Sequence, residues 1–92
     1  MNKYESVIIV SPNVEENALK ELIERFQTLI NTDGKVEQVN ELGKKKLAYE
    51  INKNKEGYYV VYDFEANPKL IAELERNYRI TDEIIKFIVV KK

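Results

Sequence analysis

The chain contains neither cysteine nor histidine. Without cysteine there is no disulfide framework and no thiolate nucleophile or metal ligand. Without histidine the usual zinc sites, nucleophile–base pairs and near-neutral proton shuttles have no side chain to build on. Carboxylates and lysines remain, but each of the 16 acidic and 15 basic residues is most simply a solvated surface charge. With three glycines and two prolines in the whole chain, no glycine-rich phosphate loop is present. No apolar run approaches the ~20 residues needed to span a bilayer. The apolar segment 7–10 is too short, and too near the start, for a secretory signal. These absences point to a cytoplasmic, non-enzymatic protein with no cofactor, no metal, no small-molecule substrate and no membrane partner.

What is present is the composition of an ordinary globular domain. The 92 residues are 43% hydrophobic and 34% charged, enough for one domain covering residues 1–92 and too few for a second. The net charge of −1 conceals an asymmetry: residues 1–42 carry a net −4 and residues 43–92 a net +3. A nucleic-acid binder shows its footprint as a local patch rather than as whole-chain charge.

Residues 3–10 are apolar on both faces (Tyr4, Ile8 and Val10 against Val7 and Ile9), the pattern of a central strand. Ser11-Pro12-Asn13 ends it, and Asn13 with Glu16 offers a capping box for a helix. Leu19, Leu22, Ile23, Phe26, Leu29 and Ile30 form that helix's apolar stripe. Asp33-Gly34 is expected to stop it, with the glycine left-handed. Residues 35–51 read as an irregular strand. Leu47, Tyr49 and Ile51 alternate, whereas Val36, Val39 and Leu42 do not share a parity, so a bulge is expected near Gly43. Residues 52–57 are assigned to a turn. Residues 58–66 then alternate, with Tyr58, Val60, Tyr62 and Phe64 on the candidate core face and Tyr59, Val61, Asp63 and Glu65 opposite. Asn67 as cap and Pro68 at the first helical position begin a second helix, with Leu70, Ile71, Leu74 and Tyr78 turned inward. Residues 84–90 form the last strand.

The order strand, helix, strand, strand, helix, strand is that of an α+β, ferredoxin-like βαββαβ sandwich: a four-stranded antiparallel sheet with two helices on one face. The first and third strands lie in the middle. The opposite face is then open and carries Val7, Ile9, Tyr59, Val61, Ile88 and Val90, a candidate partner-binding surface because exposed apolar groups of that size mark interfaces.

The RNA-recognition module shares this topology, and its third strand carries a basic-Gly-aromatic signature. Residues 56–63 match it at Gly57, Tyr58 and Val61 but lack the basic residue, the small residue and two aromatics. That argues against a base-stacking platform and assigns the tyrosines to the core and an interface. Lys44-Lys45-Lys46 beside Gly43 can grip phosphates or protect an edge strand from unwanted pairing; the sequence leaves both open. Arg76, Arg79, Lys86, Lys91 and Lys92 can extend a basic strip.

Several segments in order resemble one family. They are Tyr4-Glu5, the block Leu42-Gly43-Lys44-Lys45-Lys46-Leu47-Ala48-Tyr49, Gly57-Tyr58, Leu74-Glu75-Arg76, Arg79-Ile80 and Val89-Val90-Lys91. Together they are similar to the sixth protein of the bacterial small ribosomal subunit. The resemblance implies a structural, ribosome-bound role. It further implies binding to the central domain of small-subunit ribosomal RNA as a heterodimer with the eighteenth protein of that subunit. Tyr4, Lys44, Lys45, Lys46, Arg79, Lys86 and Lys91 match the family's aromatic and basic positions. With Lys3 and the carboxy-terminal Lys92 they are expected to approach RNA, while the six open-face residues are expected to dock the partner. Glu50 departs from the family's frequent proline, and Asn2 from a residue that is often basic, leaving Lys3 to carry any amino-terminal phosphate contact. A self-associating ferredoxin-like interaction or regulatory module is the alternative.

Overall fold

The apolar alternation of the strands and the stripes of the two helices assemble as the sequence pattern requires. The computed structural model describes residues 1–51 and 53–92. Its elements are β1 (Asn2–Val10), α1 (Glu16–Asn31), β2 (Gly34–Ile51), β3 (Asn54–Ala66), α2 (Pro68–Ile80) and β4 (Ile84–Lys91). The strands form one antiparallel sheet in the order β2-β3-β1-β4, so β1 and β3 are central and β2 and β4 are the edges. The fold is the expected ferredoxin-like sandwich.

Period two decides which face closes. Tyr4, Ser6, Ile8 and Val10 of β1 and Val60, Tyr62, Phe64 and Ala66 of β3 are buried beneath the helices. Leu19, Leu22, Ile23, Phe26 and Ile30 of α1 and Leu70, Leu74 and Tyr78 of α2 meet them. Each large side chain so buried contributes about 1.5–3 kcal/mol relative to exposure. Two phenol hydroxyls enter this core and both are satisfied. Tyr62 donates to the Ile23 carbonyl at 3.0 Å, and the Tyr78 and Ser6 hydroxyls lie 2.8 Å apart. Tyr78 also packs against Phe26 and Phe87, with ring centroids at 4.7 and 5.3 Å.

The structure corrects several local expectations. The helix expected to be capped at Asn13 begins later, with Glu15 as N-cap and no side-chain cap bond. Residues 11–14 are occupied by a turn, closed by the Val14 amide on the Ser11 carbonyl at 3.3 Å, which delays the helix. Thr32 is the C-cap of α1. Gly34 is not left-handed; it is the first residue of β2, where a Cβ would lie 2.3 Å from the Glu65 carbonyl oxygen, so close strand approach requires glycine there. Asn67 caps α2 by position with Pro68 after it, but its side chain donates to Asp33 Oδ1 at 2.7 Å, tying α2 to the α1–β2 turn.

The bulge expected near Gly43 is present. Gly43 has φ +81°, and the β2–β3 register shifts between Glu41 and Gly43, with further shifts at Val36/Gln38 and Lys46/Ile51. These shifts reconcile the parity conflict, because Val36 and Val39 end opposite Phe64 and Tyr62 on the helix face. The turn assigned to residues 52–57 is shorter than expected. β3 already begins at Asn54, Gly57 is a strand residue, and Lys53 adopts φ +66°; Asn52 lies outside the described residues.

Burial pushes the Tyr62 and Tyr78 phenols above the ordinary tyrosine range, with desolvation the largest cause in both. A raised folded-state value means their stabilisation is intact below the unfolded value of about 10 and is lost as pH rises beyond it. In a tyrosinate absorbance titration these two residues should therefore ionise only together with loss of circular dichroism above about pH 10. A double-mutant cycle of Ser6→Ala and Tyr78→Phe should return a coupling of about 1 kcal/mol in urea denaturation. Additive losses would mean that the hydroxyl pair contributes nothing.

Candidate RNA and partner interface

The face of the sheet away from the helices is built by the second parity of the same strands. Val7 lies between Val61 of β3 and Ile88 of β4, and Ile9 lies between Tyr59 and Lys86. Glu5 lies between Asp63 and Val90. The six expected partner residues do therefore share one face, but unequally. Ile88 and Val90 are 49% and 45% exposed, Val7, Tyr59 and Val61 are half-buried, and Ile9 is only 8% exposed. Ile9 drops out of the free surface because β3 passes tightly over it at Gly57, where a Cβ would sit 2.5 Å from Ile9 Cγ2.

Beyond the row Val10–Tyr58–Lys44, β2 and β3 continue without β1 as a two-stranded arm. The arm bends across the open face. Leu47, Tyr49 and Ile51 line a cavity of about 220 Å³ together with Val7, Tyr59 and Ile88. Lys86 Nζ donates to the Tyr49 hydroxyl at 3.0 Å, and at 5.4 Å from the ring centroid the contact is the hydroxyl's rather than the ring face's. This bond holds the Tyr49 phenol below its ordinary value and the Lys86 ammonium above its own.

The expected basic residues do not form one strip. Lys3, Lys91 and Lys92 lie where β1 begins and β4 ends, with the Lys92 amide on the Lys3 carbonyl at 2.9 Å. The Lys44–Lys46 block lies at the other end, opposite Tyr58, Gly57 and Glu56. Lys3 and the Lys44 row are thus seven β1 residues apart, roughly 24 Å at ~3.4 Å per residue. Arg79, in the last turn of α2, is at the Lys44 end, because the Ser11 amide after β1 binds the Glu83 carbonyl that follows this helix.

Several of these cations are engaged. Lys92 pairs with Asp63, which raises its pKa, and Lys44 is 3.9 Å from Glu56 and 5.7 Å from the Tyr58 ring centroid. Lys3, Lys45, Lys46, Arg79 and Lys91 are exposed and make no ion pair among the described residues. Tyr4, expected at the RNA surface, is a core residue at 7% exposure. Its ring stacks on Phe64 at 5.6 Å, because its position in β1 has helix-face parity.

The sequence reading missed Lys53 and Lys55. Both are exposed at the arm's tip and line a hollow with Lys44, Pro12 and Asn13. The Lys/Asn-rich composition of the loop was the available signal. It also missed that Leu47 and Tyr49 would turn onto the open face, for which strand alternation gives no signal. Among the described residues no group of carboxylates is arranged to hold a metal ion, and no helix is long and apolar enough to cross a membrane.

Comparison with known proteins agrees with this architecture. The ribosomal protein S6 family profile matches residues 3–91. The chain is 50% identical to small ribosomal subunit protein bS6 of Clostridium novyi, with 98% of this chain and 96% of that protein covered. It is 47% identical to the bS6 of Halalkalibacterium halodurans, covering 99% and 97%. The crystal structure of 30S ribosomal protein S6 from Thermotoga maritima superposes with a TM-score of 0.95 at 39% identity, over 99% of this chain and 87% of that one. An Arabidopsis thaliana protein with a TM-score of 0.57 and 16% identity shares the fold alone. With the family profile covering nearly the whole chain and the fold matching throughout, the chain belongs to the ribosomal protein S6 family of structural, non-catalytic ribosomal proteins.

Proposed function

We propose that this chain is a structural constituent of the small ribosomal subunit. In this reading it binds the central domain of small-subunit ribosomal RNA jointly with the eighteenth protein of that subunit and resides on ribosomes in the cytoplasm. The observation that carries the reading is the division of the sheet. One face is closed by the helices, while the other exposes Ile88 and Val90 beside Val61, with cations at both ends of the sheet that make no ion pair among the described residues. An apolar face flanked by solvated lysines suits a protein partner in the middle and phosphates at the margins. Lys3, Lys45, Lys46, Arg79 and Lys91 make no ion pair among the described residues, which supports direct contact with phosphate, whereas Lys44, Lys86 and Lys92 are engaged by Glu56, Tyr49 and Asp63. A chain of net charge −1 gains from a basic partner, which would supply positive potential that this chain lacks.

Replacing Lys44, Lys45 and Lys46 together by glutamate should weaken assembly with the RNA central domain and the partner. It should also flatten the logarithmic salt dependence by about two, given ~0.7–0.9 per phosphate contact. Filter binding across a salt series measures both, and an unchanged affinity and slope would remove the lysine block from the RNA interface. Val61→Glu should impair formation of the protein heterodimer in sedimentation velocity while changing folding stability by less than about 1 kcal/mol, as for a surface substitution. Loss of folding in that variant would instead place Val61 in the core. A wild-type chain that purifies as a homodimer, with no tendency to co-sediment with small subunits, would favour the self-associating module.

A further inference from the structure

A two-stranded extension continuing the sheet would be expected to project along the strand direction into solvent. Here it does not. Past the Lys44–Tyr58 row, Leu47, Tyr49 and Ile51 turn back to face Val7, Tyr59 and Ile88 across the open sheet. Three features allow the bend. Gly43 sits at φ +81°, and no non-neighbouring atom lies within 4 Å of the place a Cβ would occupy, so nothing packs against the pivot on that side. The register slips between Glu41 and Gly43 and again between Lys46 and Ile51, breaking regular pairing on both sides of the lysine block. Gly57, on the returning strand, passes close enough to Ile9 to exclude any side chain.

The closure is loose. A solvent-open groove of about 220 Å³ remains between arm and sheet, Tyr49 is still 64% exposed, and among the described residues the side-chain link from the arm to β4 is the hydrogen bond from Lys86 to the Tyr49 hydroxyl. We infer that residues 45–51 and 53–57 form a removable clasp, pivoting at Gly43 and latched by Tyr49 to Lys86, that conceals the Ile9–Tyr59 end of the open face in the free protein. With the clasp closed, the accessible apolar surface is limited to the Val61, Ile88 and Val90 end. With it open, Ile9, Tyr59 and the Lys86 ammonium become available together.

The clasp concerns the free chain, so its test needs neither RNA nor a partner. Hydroxyl-radical footprinting read by mass spectrometry reports side-chain exposure directly, and would be applied to the full chain as wild type, Tyr49→Phe, Lys86→Met and Leu47→Asp. The first two variants remove the latch and the third removes the arm's apolar contact, each leaving the helix face untouched. Oxidation of Tyr59 and Ile9 should rise roughly two- to tenfold in Tyr49→Phe and Lys86→Met, the change expected from losing one hydrogen bond, and should also rise in Leu47→Asp. Phe64, Tyr62 and Tyr78 should stay as protected as in the wild type. Unchanged oxidation of Tyr59 and Ile9 in all three variants would overturn the latch. Equal acceleration at Tyr62 and Tyr78 would overturn removability, because the arm would then be part of the cooperative fold.

Discussion

The contact on which the rest of the structure depends is Tyr78 over Ser6. Ser6 is a polar residue in the middle of the helix face of the central strand β1, and it is fully buried. A hydroxyl in that position costs stability unless it is paired, and the Tyr78 phenol pairs it at 2.8 Å. The same tyrosine wedges between Phe26 of α1 and Phe87 of β4, so one side chain of α2 fixes both helices against the sheet. A small residue in the middle of β1 makes room for the large ring above it. Closure of this face is what leaves the other face to be decided by function.

That other face is graded rather than uniform. At one end Lys92 offsets Asp63 beside Glu5; in the middle Val61, Val7 and Ile88 are exposed or half-buried; at the far end the arm folds over Ile9 and Tyr59. Charge follows the same axis. The two groups of cations without an ion pair among the described residues stand at opposite ends of the strands, separated by most of the length of β1, so an anionic partner contacting both must span the molecule. A long, branched polyanion such as a folded RNA meets that requirement where a small anion does not. Membership of the ribosomal protein S6 family fits this extended distribution of contacts.

Much of the architecture was legible in the sequence because it rests on local periodicity. The α1 stripe, the alternation of β3, the Asn67-Pro68 helix start and the bulge at Gly43 all depend on residues close together in the chain. The departures from expectation had both local and long-range origins. Asn13 and Glu16 have the spacing of a capping box, but the turn at Ser11 competes for the same backbone. Gly34 looked like a left-handed stop, yet its lack of a side chain answers to Glu65 and Ala66 across the sheet. The resemblance assigns Tyr4 to RNA, whereas its parity with Ser6 and Ile8 puts its side chain among the core residues.

The sequence by itself determined the order of elements, the fold class and the division of each strand into a core face and an open face, since these follow from period two and period 3.6. It also determined the family, through a run of short blocks in fixed order. Only the tertiary structure decided that the basic residues fall at two ends of the sheet, that Lys44, Lys86 and Lys92 are engaged, and that the hairpin closes on the sheet it extends. Those outcomes depend on backbone bulges and on side chains up to tens of residues apart, such as Tyr49 and Lys86. No pattern within a window of sequence carries such pairings, because only the folded backbone brings the two ends together.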